Sequence, residues 1–240
     1  MKKLTALALS IALFAHSSAY SADLDLGIYE LNRGEFKAAI AQFEPLVADN
    51  YAPAQHQMGL IYLNGYGVIK NPEKALELFN LAAAQNYSEA LFDLSLLYSE
   101  GEVTEKDLKT AYALMEKAAN KNLARAQFNL AVMLYNGDGV TRNYLQASRW
   151  YQKAADQNYA LAQFNLALMY FEGKGVAKST EMSYIWNIIA AKNGYVNAQK
   201  SRDMDEHKLT VDEIKAGREK ADVLYKKILQ QRELKFKKNS

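Results

Sequence analysis

The residue types that most often carry chemistry are scarce in this chain. Its 240 residues include no cysteine and three histidines, which stand far apart as His16, His56 and His207. A thiolate metal site and a cysteine nucleophile are therefore excluded. The motifs H-E-x-x-H, G-x-S-x-G and G-x-x-x-x-G-K-[ST] are absent, no serine precedes lysine by three positions, and no carboxylate pair stands out by its spacing. The sequence predicts no enzyme, no cofactor and no metal site.

Three short glycine loops invite comparison with phosphate-binding turns. They read G-Y-G-V from Gly65, G-D-G-V from Gly137 and G-K-G-V from Gly173. Because these loops recur at a fixed interval, we interpret them as helix ends in which the first glycine takes the left-handed conformation. A related loop reads G-E-V-T, and Val103 there replaces the second glycine. That loop is expected to turn differently.

A fixed interval of 36 residues organises the chain. A small anchor residue recurs at this interval, and a glycine follows four of the anchors eleven positions later. The anchors are Ala54, Ala90, Ala126, Ala162 and Ala198, and the glycines are Gly65, Gly101, Gly137 and Gly173. Repeats of this length indicate stacked supersecondary units rather than one globule.

Each repeat is predicted to contain two helices, which we name helix A and helix B. Helix A runs from the anchor to the glycine, and helix B follows a polar turn. Helix B ends at a residue that tolerates the left-handed conformation. These ends are Asn50, Asn86, Asn122, Asn158 and Gly194. Trp150 and Trp186 lie on B helices and are expected in the core.

The segments before and after the repeats depart from this pattern. Residues 23–53 are predicted to form an atypical helix pair that is broken at Gly34. Thr210 and Glu213 form a predicted capping box, and the helix that follows is expected to run to about Phe236. This helix is expected to cover the end of the repeat stack.

Residues 1–22 have the pattern of a secretory signal peptide. Two lysines precede a twelve-residue apolar stretch, and small residues follow it. We expect cleavage after Ala19, Ser21 or Ala22, and a retained membrane anchor is the alternative. The absence of cysteine excludes a lipoprotein, and no later stretch is long and apolar enough for a membrane span. The mature protein is expected in the periplasm or outside the cell.

The charge balance argues against nucleic-acid binding. The chain has 29 basic and 27 acidic residues, and loss of Lys2 and Lys3 with the signal peptide leaves 27 of each. A near-neutral protein lacks the broad positive surface that attracts phosphate backbones. We therefore expect no nucleic acid among its partners.

The repeat pattern resembles a known family. The pattern A-x-x-x-L-[GA]-x-x-Y-x-x-G-x-G-V, followed by K-A-x-x-W-Y-x-K-A-A-x-x-[NG], is similar to the Sel1-like repeat, a relative of the tetratricopeptide repeat. The resemblance covers 54–89, 90–125, 126–161 and 162–197, with 198–240 as capping helices and a basic tail. It implies an all-α, right-handed α/α solenoid of about five helix-turn-helix repeats. It also implies a scaffold or adaptor, although the fold itself specifies no chemistry.

By analogy with tetratricopeptide repeats, the A helices are expected to line a concave groove that binds a segment of another protein. The residues implied lie at the third and seventh positions of each A helix and near its end. They are His56, Leu60, Phe92, Leu96, Phe128, Val132, Tyr135, Phe164, Leu168 and Phe171. Aromatic side chains in a groove are rigid anchors for a peptide or helix. The alternative is that the phenylalanine row packs between neighbouring repeats.

A basic cluster marks the C-terminal end. Its residues are Lys226, Lys227, Arg232, Lys235, Lys237 and Lys238. They form either a solvated helix end, where positive charge is favourable, or a contact with an acidic partner or the anionic surface of the envelope.

These observations predict an exported, non-enzymatic scaffold or adaptor of the cell envelope that binds a protein partner. One alternative is an enzyme or accessory factor that acts on cell-wall material. Others are a structural spacer and a secreted protein directed at a host. An acidic cluster in a pocket would favour the enzyme, whereas an open apolar groove would favour protein binding.

Overall fold

The structure, a computed structural model, describes residues 24–239, so the predicted signal peptide of residues 1–22 lies outside the described residues. The described residues form twelve α-helices and no strand, which confirms the predicted all-α fold. The helices are α1 (24–32), α2 (Phe36–Ala48), α3 (Ala52–Asn64), α4 (Pro72–Ala84), α5 (Ser88–Glu100), α6 (Leu108–Asn120), α7 (Ala124–Asn136), α8 (Tyr144–Ala155), α9 (Ala160–Glu172), α10 (Thr180–Lys192), α11 (Val196–Glu206) and α12 (Val211–Asn239).

The described residues divide into two compact units, 24–106 and 107–239. In the first unit α2 packs on α3, α3 on α4 and α4 on α5. In the second unit each helix from α6 to α10 packs on the next, and α10 also contacts α11 and α12. In stacked helix-turn-helix repeats, each helix is expected to pack on helices that are its neighbours in the chain.

The N-terminal helix pair is formed by α1 and α2. Leu24, Ile28 and Leu31 on one face of α1 pack against the cluster that contains the buried Phe43 of α2. Gly27 lets the two helices meet closely, since a Cβ there would lie 2.4 Å from the Phe43 ring.

The helix ends have the left-handed backbone conformation that the sequence predicts. The A helices α3, α5, α7 and α9 end before glycines whose φ lies between +74° and +90°. The four asparagines and Gly194 that follow B helices have φ between +60° and +84°. Val103 is not among the described residues with positive φ, so its loop turns differently, as expected. Each A helix begins two residues before its anchor alanine.

The second glycine of the loop is needed for packing as well as for the turn. A Cβ at Gly139 would lie 1.9 Å from the Leu108 carbonyl oxygen, and one at Gly175 would lie 2.1 Å from that of Tyr144. Leu108 and Tyr144 are the first residues of α6 and α8. The missing side chain therefore lets each loop touch helix B of the preceding repeat.

Polar residues in the turns cap the B helices. The Asn71 side chain accepts a hydrogen bond from the backbone N–H of Lys74 at 2.9 Å. Asp107, Asn143 and Ser179, each 36 residues further on, cap α6, α8 and α10 in the same way. Side chains of this kind satisfy N–H groups that have no partner inside the helix.

In the second unit a buried glutamine links the turns that follow successive B helices. Gln163 Nε2 donates to the Ala155 carbonyl oxygen and to Asn158 Oδ1, each at 3.2 Å. Its own oxygen accepts from Asn193 Nδ2 at 2.8 Å. Gln127 makes the corresponding bonds one repeat earlier. The polar turns are thus linked to one another by amide groups that are shielded from water.

α10 is enclosed on all sides because it contacts α9, α11 and α12. Residues 183–190 are all buried, and Trp186 lies in the core as predicted. The same prediction is wrong for Trp150, which is only half-buried. α8 packs on α7 and α9, and the Lys153 ammonium covers the open face of the Trp150 ring at 3.7 Å from its centre.

α12 begins at the predicted capping box and ends at Asn239 rather than near Phe236. Glu213 Oε2 accepts from the Thr210 backbone N–H at 2.8 Å, and the Glu213 N–H donates to Thr210 Oγ1 at 3.3 Å. Ala221 and Ile228 are buried on the face of α12 that is expected to be apolar, and the helix packs on α10.

Candidate functional site

In residues 24–106 the predicted groove residues lie on α3 and α5. His56 is 4% exposed and Phe92 is 7% exposed, whereas Leu60 and Leu96 are half-buried. The first two side chains therefore offer little surface to a partner. Their burial agrees with the alternative of packing between repeats.

His56 is enclosed by a carboxylate and two aromatic rings. Its Nε2 lies 2.6 Å from Asp93 Oδ2 on α5. The imidazole centre lies 5.5 Å from the ring centres of Phe79 and Tyr87. A histidine held in this way links α3 to α5.

In residues 107–239 the phenylalanines of the row pack against tyrosines and remain partly exposed. The ring centre of Phe128 lies 5.3 Å from that of Tyr159, and that of Phe164 lies 4.9 Å from that of Tyr195. Each tyrosine follows the end of helix B in the same repeat. The two phenylalanines therefore both pack inside the repeat and present part of the ring to the surface.

Among the remaining predicted residues of this unit, Leu168 is the most exposed. Leu168 is 39% exposed, and Val132, Tyr135 and Phe171 are half-buried. They lie on the A helices α7 and α9, so these two helices carry the accessible apolar surface of the predicted groove.

Tyr135 belongs to a cluster of aromatic and charged groups. Lys174 Nζ donates to its hydroxyl at 2.8 Å and pairs with Glu172 at 2.9 Å. These two interactions raise the pKa of Lys174, with the tyrosine hydrogen bond as the larger cause, so the lysine stays charged. The Tyr144 ring centre lies 4.9 Å from that of Tyr135.

A pocket of about 110 Å³ opens beside α9. Phe164, Leu168 and Phe171, all predicted groove residues, form one wall. Ser183 and Asn187 of α10 line another side. The rest of the lining comes from α11 and the residues after it, namely Ser201, Met204, Asp205 and Lys208.

Asp205 is the buried charge of this pocket and is 2% exposed. Its Oδ2 accepts from Ser183 Oγ at 2.8 Å and from Asn187 Nδ2 at 2.9 Å. Burial raises the pKa of Asp205, and these two hydrogen bonds oppose the effect. Lys208 lies at the same pocket with its ammonium 4.0 Å from the Phe171 ring centre.

The sequence predicts the residues of the apolar wall of this pocket but not those of its polar side. The analogy with tetratricopeptide repeats selects A helices, whereas Ser183 and Asn187 lie on helix B. The repeat itself contained a signal, because Ser183 stands in register with Ala75, Ala111 and Ala147.

The basic cluster lies on the last part of α12. Lys226, Lys227, Arg232 and Lys237 are exposed, and the side chains of Lys235 and Lys238 lie outside the described residues. Contact between this cluster and an acidic partner or an anionic surface stays a prediction.

Residues 24–239 contain neither a cluster of metal ligands nor a membrane-spanning helix. In that part of the chain, no three histidine or acidic side chains come together in a way that could hold a metal ion. Nor does any helix there have the length and apolar character to cross a bilayer.

Comparison with known proteins places the repeats in a family. The Sel1 repeat family model matches residues 52–87, 88–123, 124–159 and 160–195. No curated protein matches the chain.

Solved structures have the same fold. One is c5321, a protective antigen of uropathogenic Escherichia coli strains that displays an SLR fold, with 27% identity and a TM-score of 0.75. The match covers 91% of this chain and 48% of c5321, so the chain spans about half the length of that protein. Another is a Sel1 repeat protein from Oxalobacter formigenes, with 27% identity, a TM-score of 0.73, and coverage of 86% of this chain and 84% of that one. Because the four matched repeats make up more than half of the sequence, the chain belongs to the Sel1 repeat family.

Proposed function

We propose that this chain is an exported, non-enzymatic adaptor of the cell envelope that binds a segment of another protein along the A helices α7 and α9. Sel1 repeat proteins generally mediate protein–protein interactions. They are typically scaffolds without enzymatic activity. The partner is unidentified, and the proposal concerns the surface that receives it.

The observation that carries this proposal is the apolar surface of α9. Leu168 is 39% exposed and stands beside Phe164 and Phe171 at the pocket. Interface cores combine aromatic and apolar side chains with a pocket that an anchor residue can fill. An accessible leucine next to two phenylalanines and a pocket has this character.

Export is supported by the composition of residues 1–22, where two lysines precede an apolar stretch. We expect the mature protein in the periplasm or the medium, with its N-terminus after Ala19, Ser21 or Ala22. Cell fractionation followed by N-terminal sequencing tests this. A full-length chain that remains with the cytoplasm would contradict export.

Affinity capture with the mature chain, residues 23–240, tests the binding surface. We would compare the wild type with Leu168→Glu and with Leu145→Glu, an exposed leucine of helix B that serves as a matched control. A charge in an interface core weakens binding by about 2 kcal/mol or more, which is roughly thirtyfold. We therefore expect a specific envelope protein to be captured by the wild type and by Leu145→Glu and lost from Leu168→Glu.

Circular dichroism of both variants verifies that their helices are intact. If Leu168→Glu is folded and still captures the same protein, the binding surface is not the A-helix face and the proposal is wrong.

A further inference from the structure

Three buried positions at the end of the repeat array are polar, whereas the positions 36 residues before them are apolar. Ser183, Asn187 and Asp205 stand 36 residues after Ala147, Tyr151 and Met169. All six side chains are buried. Burial of polar groups is unfavourable unless they are well bonded, so a packing role gives no reason for three such changes at one place. A ligand that these groups recognise would give one.

The same changes account for the space at the pocket. Asn187 stands where the two earlier repeats of this unit have the buried Met115 and Tyr151. An asparagine leaves unfilled the volume that the larger side chain occupies. The resulting pocket measures about 110 Å³. Since a cavity of about 150 Å³ holds a benzene molecule, this pocket suits a single side chain.

The polar side of the pocket has acceptors in excess. Both hydrogen bonds to the Asp205 carboxylate go to Oδ2, and Oδ1 receives none from the described residues. None of the ion pairs in the described part of the chain includes Asp205. Asn187 Oδ1 is buried and has no hydrogen-bond partner among those residues. Lys208 attracts the Asp205 carboxylate without forming an ion pair with it. Buried aspartates are rare unless they are paired, so a donor, preferably a cationic one, would complete the site.

The mouth of the pocket already accommodates a positive charge. The Lys208 ammonium lies 4.0 Å from the Phe171 ring centre, in the position of a cation–π contact. A lysine or arginine also has a methylene stem that can lie against apolar walls such as Phe164 and Leu168.

We propose that this pocket receives a lysine or arginine side chain of the partner segment, with the stem against Phe164 and Leu168 and the charged end donating to Asp205. The inference rests on the proposed function, because the side chain belongs to the segment that lies along the A helices. A carboxylate ligand is disfavoured because it would have to approach the buried Asp205 carboxyl.

Methyl NMR of the mature chain, labelled with ¹³C at the methionine methyl groups, tests the proposal directly. Met204 lines the pocket and reports its occupancy, and a Met204→Leu sample identifies its signal. The probes are the Nα-acetyl methylamides of lysine, arginine, norleucine and glutamate. Norleucine keeps the apolar stem of lysine and lacks its charge.

We expect the lysine and arginine probes to shift the Met204 signal. They should bind about tenfold more tightly than the norleucine probe, since a hydrogen bond to a charged group accounts for roughly that factor. Asp205→Asn retains an acceptor for Ser183 and Asn187 and should abolish this preference. Lys208→Met removes a competing cation and should tighten binding of the lysine probe.

Three results would overturn the proposal. They are equal binding of the lysine and norleucine probes, a preference for lysine that survives Asp205→Asn, and no Met204 shift with any probe. Tighter binding of the glutamate probe, weakened by Lys208→Met, would instead assign the pocket to an anion.

This outcome is separable from that of the capture experiment. If capture depends on Leu168 but the lysine and arginine probes do not bind, the adaptor function is supported and the cation site is not. If the lysine and arginine probes bind but capture does not depend on Leu168, the cation pocket is supported and the proposed function is not.

Discussion

Burial of the Asp205 carboxyl makes this residue sensitive to pH. Loss of water disfavours its charged form and raises its pKa above the ordinary 3.8. The hydrogen bonds from Ser183 and Asn187 and the positive charge of Lys208 oppose this only in part. The folded chain therefore binds this proton more tightly than the unfolded chain does. The contribution of Asp205 to stability is complete below about pH 3.8 and is lost as the pH rises through the folded pKa.

We expect Asp205→Asn to remove this loss, because the amide remains neutral and still accepts the two hydrogen bonds. The melting temperature of the variant relative to the wild type should rise between acid and neutral pH. Asp203→Asn is the matched control, since Asp203 lies on the same helix in an exposed pair with Arg202 and should give no such trend. A variant that loses stability relative to the wild type as the pH rises would contradict a raised pKa for Asp205.

Gly139 and Gly194 both have the left-handed backbone conformation, but their surroundings differ. Gly139 has φ +72° and a neighbouring carbonyl oxygen 1.9 Å from the site of a Cβ, whereas Gly194 has φ +84° and nothing within 4 Å. Gly194→Ala should cost about 1 kcal/mol for the left-handed conformation alone. Gly139→Ala should cost about 3 kcal/mol or more, because the loop must also move away from Leu108.

Urea unfolding of both glycine variants, followed by circular dichroism, gives the two free energies of unfolding. Equal losses of stability would show that the loop does not need its close contact with helix B.

Among the helices, the buried glutamine after the anchor alanine connects turns that belong to different repeats. Gln163→Leu would remove the side-chain donor to the Ala155 carbonyl and one of the two acceptors of the Asn193 amide, which also donates to Asn158 Oδ1. Each hydrogen bond that is lost contributes about 0.5–1.5 kcal/mol to stability. We expect a loss of stability of that size, measured by urea unfolding.

Gln199→Leu provides the comparison, because Gln199 is exposed on α11 and its replacement should change stability by less than about 0.5 kcal/mol. If both variants were equally stable, the amide links would not contribute to holding the turns together.

The helix ends could be predicted because each depends on residues that are close in sequence. A glycine or asparagine adopts the left-handed conformation wherever helix A or helix B stops, and the capping box needs only Thr210 and Glu213. The second loop glycine and Gln163 act on groups in other helices. Their roles follow from packing between repeats, which a local pattern does not contain.

The candidate site was only half predictable for a related reason. The apolar wall of Phe164, Leu168 and Phe171 follows from the spacing of helix A. The polar side comes from α10 and α11, and whether they face the same pocket depends on how the helices pack. Comparison of Asn187 with its counterparts Met115 and Tyr151 is the sequence signal that could have revealed it.

In the chain as a whole, the repeat that defines the family and the residues that distinguish this protein are different sets. Sel1 repeats extend over residues 52–195, whereas Asp205 and Lys208 follow the last matched repeat. The repeats supply regular A helices with an apolar face. The final repeat and the segment after it supply the polar groups that would give that face specificity.

The central claim is that a partner protein lies along α9. A photo-crosslinking amino acid placed at position 168 of the full chain, in cells that produce it, tests this most directly. The same residue at position 145, on helix B, is the control. We predict a discrete adduct with another envelope protein from position 168 and none from position 145. Adducts that are the same from both positions, or that form only from position 145, would contradict the account.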